Sequence, residues 1–413
     1  MKKIILVLLA LPFFCFGQDI QLQGELVGGN SGTDVWEYID PDTGNVYVIA
    51  GGNGMSVVDV TDPTNPIQVA HVTSVPGFDV KVWDHYVYCV TGGSGTASIV
   101  DIEDPTNPQV VGTFPSSHNL FIDENGYMYA SFPNLTIYDL NPDPINPTFL
   151  TSVGSEGHDA TVRGNLLIDC HGFDGTNLYD VTDPANPVLL SSITDPDITY
   201  HHQGDISSDG NYLYINDELA NNPTPDISIW DISDIANPVR VGDYSDAATT
   251  HNMYVIGDYA YVSYYTAGFR VFDISDPSQL ILADEYDTNG ASGEGFSGAF
   301  GVYPSPVTGN IYINDSNSDT IFVFGFDGLV LDNTTETLVD FSIAPNPVSE
   351  KTTIHLDNDT IDNVQIHTLL GTQVLDLSIY ESSSSYEFDL SALQSGVYFV
   401  TVNETQTKKI VVQ

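Results

Sequence analysis

One phrase of about ten residues recurs along the chain and constrains its architecture. It begins with two apolar residues and an aspartate, continues through an Asp-Pro turn, and usually ends with Asn-Pro. Its copies are VVDVTDPTNP (57–66), IVDIEDPTNP (99–108), IYDLNPDPINP (137–147), LYDVTDPANP (178–187), IWDISDIANP (229–238) and VFDISDP (271–277). The central aspartates lie 42, 38, 41, 51 and 42 residues apart. A period of about 40–45 residues is typical of the blades of a β-propeller.

Each repeat predicts four short antiparallel strands. β-branched and aromatic residues fill the strands, and Gly, Asn, Asp and Pro separate them. The first strands of seven blades are expected near residues 35, 80, 120, 160, 204, 253 and 300. The seventh unit has no fourth strand of its own, so we expect residues 20–26 to supply it and to close the ring. The repeated aspartate is interpreted as a turn cap rather than as a metal ligand.

The fold class predicted is all-β: a seven-bladed β-propeller closed by an N-terminal strand, followed by a small C-terminal β-sandwich. Residues 1–18 have the pattern of a signal peptide, with Lys2 and Lys3 before an apolar run that ends at Phe16. We assign residues 19–330 to the propeller, 331–337 to a linker and 338–413 to the small domain. No later segment has 18 uninterrupted apolar residues, so no membrane-spanning helix is expected.

Charge and cysteine content restrict the function and the means of stabilisation. The chain has 9 Lys and Arg against 56 Asp and Glu, a formal charge of −47. Phosphate binding needs a basic surface, so a sequence-independent nucleic-acid binder is excluded. Cys89 and Cys170 fall in similar strands of non-adjacent repeats, so we expect no disulfide and a fold held by its core.

The C-terminal segment carries several short motifs in a fixed order, namely FSIAPNP (341–347), LGTQV (370–374), GVYF (396–399) and KKIVV (408–412). Together they resemble a type IX secretion (Por) C-terminal sorting domain of bacteroidete proteins. The resemblance implies that residues 338–413 interact with the type IX secretion machinery. It also implies Sec export followed by secretion or attachment at the outer cell surface. Whether the domain is cleaved stays open.

The propeller resembles the LVIVD-repeat, "choice-of-anchor B" family over about residues 30–327. The family phrase appears here as MSVVD (55–59) and ASIVD (97–101), and THNMY (250–254) is close to another of its shared segments. The resemblance implies the architecture and a cell-surface location. It implies little about mechanism, because the biochemical activity of that family is poorly defined.

Histidines give the clearest chemical signal. His118, His158, His202 and His251 open the first strands of four consecutive blades, 40, 44 and 49 residues apart. The first strand of a blade lines the central channel, so these residues should surround one side of a channel mouth. His171 lies in a loop on the same face, and imidazoles are ligands for transition metals.

The sequence leaves the role of these five histidines open. They are candidate ligands for a divalent transition metal, with Ca²⁺ as a further candidate ion, and Asp159 and Asp205 could orient their rings. The alternative, given equal weight, is that each histidine bonds to the backbone of a neighbouring blade. A smaller third possibility is pH sensing.

The leading functional hypothesis is an exported binding module whose His-bearing face takes an extracellular protein, a glycan or a metal ion. A competing hypothesis is a metal-dependent hydrolase or oxidase, with Glu218 or Asp217 as the base for a metal-bound water. The third is a structural surface or adhesion protein. The sequence has no Gly-x-Ser-x-Gly, phosphate-loop or His-Glu-x-x-His pattern, which favours a non-enzymatic role.

Overall fold

The strands form where β-branched and aromatic residues alternate between turns, and they group in sheets of four. The computed structural model describes residues 20–29, 32–154, 157–219, 224–329, 341–346, 348, 350–356, 360–361, 363–368, 373–379, 383–391, 393, 396–403 and 406–412. The predicted signal peptide and the predicted linker therefore lie outside the described residues. The chain divides into two units, residues 1–331 and 332–413.

The first unit contains an N-terminal strand and seven successive groups of strands. In chain order these are β1 (Ile20–Val27); β2 (Val35–Ile39), β3 (Val46–Gly52), β4 (Gly54–Asp59) and β5 (Ile67–Val72) of blade one; β6 (Asp79–Trp83), β7 (Tyr86–Val90), β8 (Thr96–Asp101) and β9 (Gln109–Pro115) of blade two; β10 (Asn119–Ile122), β11 (Tyr127–Ser131), β12 (Leu135–Asp139) and β13 (Thr148–Val153) of blade three; and β14 (Asp159–Arg163), β15 (Leu166–Cys170), β16 (Thr176–Asp180) and β17 (Val188–Ile193) of blade four.

The remaining three blades follow the same pattern. They are β18 (His201–Ile206), β19 (Tyr212–Asp217), β20 (Ile227–Asp231) and β21 (Val239–Tyr244) of blade five; β22 (Met253–Ile256), β23 (Tyr259–Ser263), β24 (Phe269–Asp273) and β25 (Ile281–Tyr286) of blade six; and β26 (Ala299–Pro304), β27 (Asn310–Asp315) and β28 (Thr320–Phe326) of blade seven. All pairings within a blade are antiparallel. The first strands β2, β6, β10, β14, β18, β22 and β26 contact one another in that order, and β26 returns to β2.

The ring closes through the N-terminal strand, as the sequence predicts. β1 pairs antiparallel with β28, from Ile20 opposite Phe326 to Val27 opposite Thr320. Blade seven is therefore the sheet β1-β28-β27-β26. Because its outer strand comes from the start of the unit and the other three from its end, the backbone ladder itself joins the two ends.

The repeated aspartate caps a turn in every copy of the phrase, which confirms the sequence interpretation. Its Oδ1 accepts a hydrogen bond of 2.8–2.9 Å from the backbone N–H two residues ahead. The aspartates concerned are Asp59, Asp101, Asp139, Asp180, Asp231 and Asp273. The prediction for Cys89 and Cys170 is also confirmed, because both are buried free thiols.

The second unit is a two-sheet β structure around its own core. One sheet has the order β29-β30-β33 and the other β32-β31-β34-β35. Phe341, Ile354, Ile366 and Val400 are among the side chains buried in the core that the sheets share. The strands are β29 (Phe341–Ala344), β30 (Lys351–Leu356), β31 (Asn363–Thr368), β32 (Gln373–Ser378), β33 (Ser385–Asp389), β34 (Gly396–Val402) and β35 (Gln406–Val412). Within the described part of the chain, no helix has the length and apolarity needed to cross a bilayer.

Candidate functional site at the channel mouth

Six aromatic and histidine rings surround one mouth of the channel, and we call them the mouth ring. Each ring belongs to a residue close to the start of the first strand of its blade. Consecutive ring centroids lie 4.9, 4.3, 4.4, 4.4 and 4.1 Å apart along the series Phe78, His118, His158, His202, His251 and Phe300. Phe78 and Phe300 meet at 5.8 Å and close the ring past blade one. The four predicted histidines therefore lie side by side, in the order of their blades.

A polar layer fills the channel directly beneath the mouth ring. The Lys81 ammonium lies 2.5 Å from carboxylate oxygens of both Asp34 and Asp79, and all three side chains are buried. Burial opposes the charge of Lys81, but the two carboxylates outweigh it and raise the pKa of the ammonium. Asp34 and Asp79 also accept hydrogen bonds from the first strand of the next blade, at Val80 N and Leu120 N. The space left between ring and layer is about 10 Å³, roughly one water molecule.

Two of the four histidines are oriented by backbone carbonyl groups. His118 Nδ1 donates to the oxygen of Gly92, and His251 Nδ1 donates to the oxygen of Phe300, each at 2.8 Å. Because a carbonyl oxygen can only accept, each Nδ1 carries a proton, and in the neutral ring the lone pair is on Nε2. The expectation that Asp159 and Asp205 orient the rings is wrong. Asp205 instead pairs with Arg163 through two hydrogen bonds, and Asp159 accepts one from Asn119.

Burial keeps the imidazoles of His158, His202 and His251 neutral. It lowers the pKa of His158 to about 3 and that of His251 to about 3, and the neighbouring imidazoles act in the same direction. The same causes lower the pKa of His202 well below the usual value for histidine. A neutral imidazole is the form that can bind a metal ion.

His158 and His202 come together with a carboxylate, a set we call the His158–His202–Glu218 trio. One ligand atom from each residue lies within 4.8 Å of the other two. His202 Nε2 is 3.8 Å from Glu218 Oε2, and the Tyr265 hydroxyl donates to Glu218 Oε1 at 2.5 Å. Burial raises the pKa of Glu218 to about 7.

The other predicted site residues are placed differently. Asp217 accepts backbone hydrogen bonds of 2.6 Å from Thr199 and Tyr200, so its carboxylate holds a loop. His171 Nε2 lies 2.5 Å from Asp169 Oδ2, outside the trio. His118 and His251 flank the trio without belonging to it.

An aromatic cleft opens beside the mouth ring, and its aromatic residues are not marked by any repeat in the sequence. It has a volume of about 320 Å³, and its wall includes His118, His158, His171, Phe132, Phe173 and Tyr200. Phe173 is 72% exposed and Phe132 is 39% exposed. Phe132 also has a φ of +63°, a conformation that non-glycine residues seldom adopt and that is frequent at binding sites.

The sequence did not single out His201, and it favoured a core position for Tyr265 rather than a contact with Glu218. His201 is 1% exposed and its Nδ1 shares a hydrogen bond of 2.8 Å with Thr176 Oγ1, which indicates a structural role. Tyr265 follows β23 in the sequence and reaches Glu218 from the next blade. Tyr265 lies outside the repeated phrase, so no periodicity marks it.

A second group of possible ligands lies on the surface. His85, Asp101 and Glu103 also bring ligand atoms within 4.8 Å of one another. Asp101 is one of the six turn caps, and it accepts the backbone N–H of Glu103. The hydrogen bonds of the turn are enough to explain why these exposed carboxylates lie close together.

The architecture and the mouth ring define the class of protein: a seven-bladed β-propeller with a histidine-lined channel mouth. Family models agree, since the LVIVD repeat matches residues 43–74, 78–115, 202–246 and 248–288, and the secretion system C-terminal sorting domain matches residues 342–413. The chain thus carries LVIVD repeats in its propeller and a type IX secretion sorting domain at residues 342–413, which directs it to the cell surface or the extracellular space.

Solved structures share the fold at low sequence identity. Raptor from Chaetomium thermophilum superposes with a TM-score of 0.55 and 13% identity, covering 75% of this chain and 29% of that one. A protein from Lactobacillus plantarum gives a TM-score of 0.52 and 13% identity, covering 86% and 98%. At this identity the likeness concerns the fold alone.

One curated relative is the ulvan lyase of Nonlabens ulvanivorans. It is 28% identical over 101 residues, which are 24% of this chain. The match spans only 19% of the lyase.

Proposed function

We propose that this secreted propeller is an extracellular binding module and that the aromatic cleft at the channel mouth binds a glycan. The observation that carries the proposal is the combination of a concave cavity with exposed aromatic rings. Phe173 and Tyr200 meet edge to face, with centroids 4.9 Å apart, and Phe173 presents most of its surface to solvent. Such rings offer flat apolar faces for the C–H groups of a sugar.

The size and polarity of the cleft favour a small polar ligand over a protein surface. About 320 Å³ is at the lower end of the range for small-molecule sites. Asp174 and the ring nitrogens of the cleft histidines supply hydrogen-bonding groups that can meet sugar hydroxyls. A protein partner would instead need a contact area of several hundred Å² on this side.

Binding of the full chain to an array of neutral and acidic oligosaccharides tests the proposal. We expect Phe173→Ala to weaken binding to the retained oligosaccharides by at least tenfold. The matched control is Phe149→Ala, which removes an equally large ring that is 60% exposed on the fourth strand of blade three. Absence of binding to every oligosaccharide, or equal binding by wild type and Phe173→Ala, would contradict the proposal.

A further inference from the structure

We propose that the His158–His202–Glu218 trio binds one divalent first-row transition-metal ion. His158 precedes the first strand of blade four, His202 lies in the first strand of blade five, and Glu218 directly follows the second strand of blade five. The ion would lie beside the proposed glycan cleft, with which the trio shares His158. The inference rests on the proposed function only because it adds a second role to the face that carries the glycan cleft.

The distance between His202 and Glu218 fits two ligands of one ion. At 3.8 Å, Nε2 and Oε2 are too far apart for a hydrogen bond. Two donors that each bond to a metal ion at about 2.0–2.2 Å can lie up to about 4 Å apart. The gap between these atoms is therefore of the size that a shared ion would bridge.

His202 is buried without the hydrogen bonds that a buried imidazole normally makes. It is 4% exposed, and its Nδ1 has no partner among the described residues. Its Nε2 makes no hydrogen bond to any residue that the structure describes, and Glu218 Oε2, at 3.8 Å, is beyond hydrogen-bonding distance. Buried polar side chains are nearly always paired, and a bound ion would supply the partner that Nε2 lacks.

Glu218 has one oxygen in a hydrogen bond, and its other oxygen makes none to the described residues. Tyr265 donates to Oε1, and Oε2 faces His202. The carboxylate is 13% exposed, in contrast to the acidic groups of the surface turns. Tyr265 is thus a positioning residue, which prepares the carboxylate for a ligand without touching the ion.

The donor set selects the kind of ion. Two imidazoles and one carboxylate suit Zn²⁺, Fe²⁺ and similar ions, whereas Ca²⁺ and Mg²⁺ prefer sites made of oxygen atoms. His118 and His251 add two further imidazoles on either side, each held through its Nδ1 by a backbone carbonyl group. The neighbourhood therefore contains more nitrogen donors than a calcium site requires, which argues against the Ca²⁺ alternative here.

Calorimetric titration of the metal-free full chain with Zn²⁺, without a histidine tag, tests this assignment. Excess Ca²⁺ in the buffer occupies the exposed carboxylates, so that the heat measured on adding Zn²⁺ comes from sites that contain nitrogen ligands. We expect one Zn²⁺ per chain in the wild type and at least tenfold weaker binding in Glu218→Gln and in His202→Gln. Tyr265→Phe should weaken binding by a smaller factor. With Cu²⁺ as the probe, electron paramagnetic resonance should show two coordinated nitrogens.

His85→Gln is the matched control, because it removes a histidine from the surface group of His85, Asp101 and Glu103. It should leave the tight binding unchanged. Glu218→Gln keeps the size of the side chain and its bond to Tyr265, and tryptophan fluorescence will show whether each variant is folded. The absence of a stoichiometric Zn²⁺ in the wild type would overturn the assignment, and so would equal affinity in wild type and Glu218→Gln. Zinc binding that survives Phe173→Ala separates this result from the glycan test.

Discussion

At the residue scale, equivalent positions in successive blades make the same contacts in one case and different contacts in another. The repeated aspartates all cap the same turn, because the turn geometry is local to each blade. The mouth histidines also occupy equivalent positions, yet His118 and His251 donate to carbonyl groups while His202 does not. The difference arises from neighbours on other blades, such as Glu218 and its partner Tyr265.

A buried carboxyl group in blade five gives a prediction at this scale. Asp226 is 2% exposed and accepts the backbone N–H of Asp246 at 2.6 Å. Burial raises its pKa to about 7, the Asp246 and Asp217 charges act in the same direction, and Arg270 opposes them. A carboxyl with a raised pKa binds its proton more tightly in the folded state, so its contribution to stability is lost as pH rises from about 4 through 7.

We therefore expect Asp226→Asn to gain stability relative to wild type between pH 5 and pH 8.5, by on the order of 2–3 kcal/mol. Urea unfolding followed by tryptophan fluorescence measures this, because Trp36, Trp83 and Trp230 all lie in the propeller. Asp231→Asn is the control. Hydrogen bonds from Ser233 lower the pKa of Asp231, so its contribution changes only below about pH 4 and the difference should stay constant over this range. A constant difference for Asp226→Asn as well would contradict the prediction.

At the element scale, the fourth strand of every blade carries an irregularity that the sequence phrase does not reveal. The ladder between third and fourth strands shifts register once in each of the seven blades. Such a bulge bends the strand and increases its twist. In three blades a glycine at the shift lies against the Asp-Pro turn region of the next blade, namely Gly24, Gly112 and Gly242.

The closing strand provides the clearest test of these contacts. A Cβ on Gly24 would lie 2.3 Å from the backbone oxygen of Pro63 in blade one, and backbone cannot move aside easily. We expect Gly24→Val to destabilise the propeller by about 2 kcal/mol or more, since overpacking forces the strand away from its neighbour. Thermal unfolding of the full chain, followed by tryptophan fluorescence, measures the loss.

Glu25→Val serves as the comparison, because it places the same side chain at an exposed position of β1. Its unfolding midpoint should stay close to that of the wild type. If Gly24→Val and Glu25→Val unfold at the same temperature, the contact between β1 and blade one does not contribute as described.

At the scale of the whole molecule, the charge is the dominant physical property. The formal charge of −47 arises from 56 acidic residues, and the repeated turns carry many of them at the surface. The few cations of the propeller are already paired, since Lys81, Arg163 and Arg270 bind carboxylates. The folded chain must therefore bear strong repulsion between its own surface groups at low ionic strength.

We expect the unfolding midpoint of the propeller to rise when NaCl is increased from 20 to 500 mM, because salt shortens the range of this repulsion to a few ångströms. KCl at the same ionic strength should have the same effect, since the screening does not depend on which monovalent cation is used. A midpoint that falls with salt would show that favourable ion pairs outweigh the repulsion.

Much of the fold follows from the sequence alone. The phrase of about ten residues predicts four strands and a capped turn in each blade, because these depend on local backbone preferences and neighbouring hydrogen bonds. Residues 20–26 were predicted to complete blade seven because the last repeat lacks a fourth strand, and the pairing of β1 with β28 confirms this. The spacing of His118, His158, His202 and His251 likewise predicted that they would meet at one mouth.

Only the tertiary structure decided what those histidines contact. The mouth ring forms because seven blades bend into a closed circle, which sets the angle and distance between rings from different repeats. Glu218 meets His202, and Tyr265 reaches Glu218 from the next blade, through side-chain conformations that no repeat encodes. The sequence by itself thus determined the architecture, the export route and the row of histidines. The curvature of the closed ring decided their partners, because contacts between blades depend on distances that local sequence does not specify.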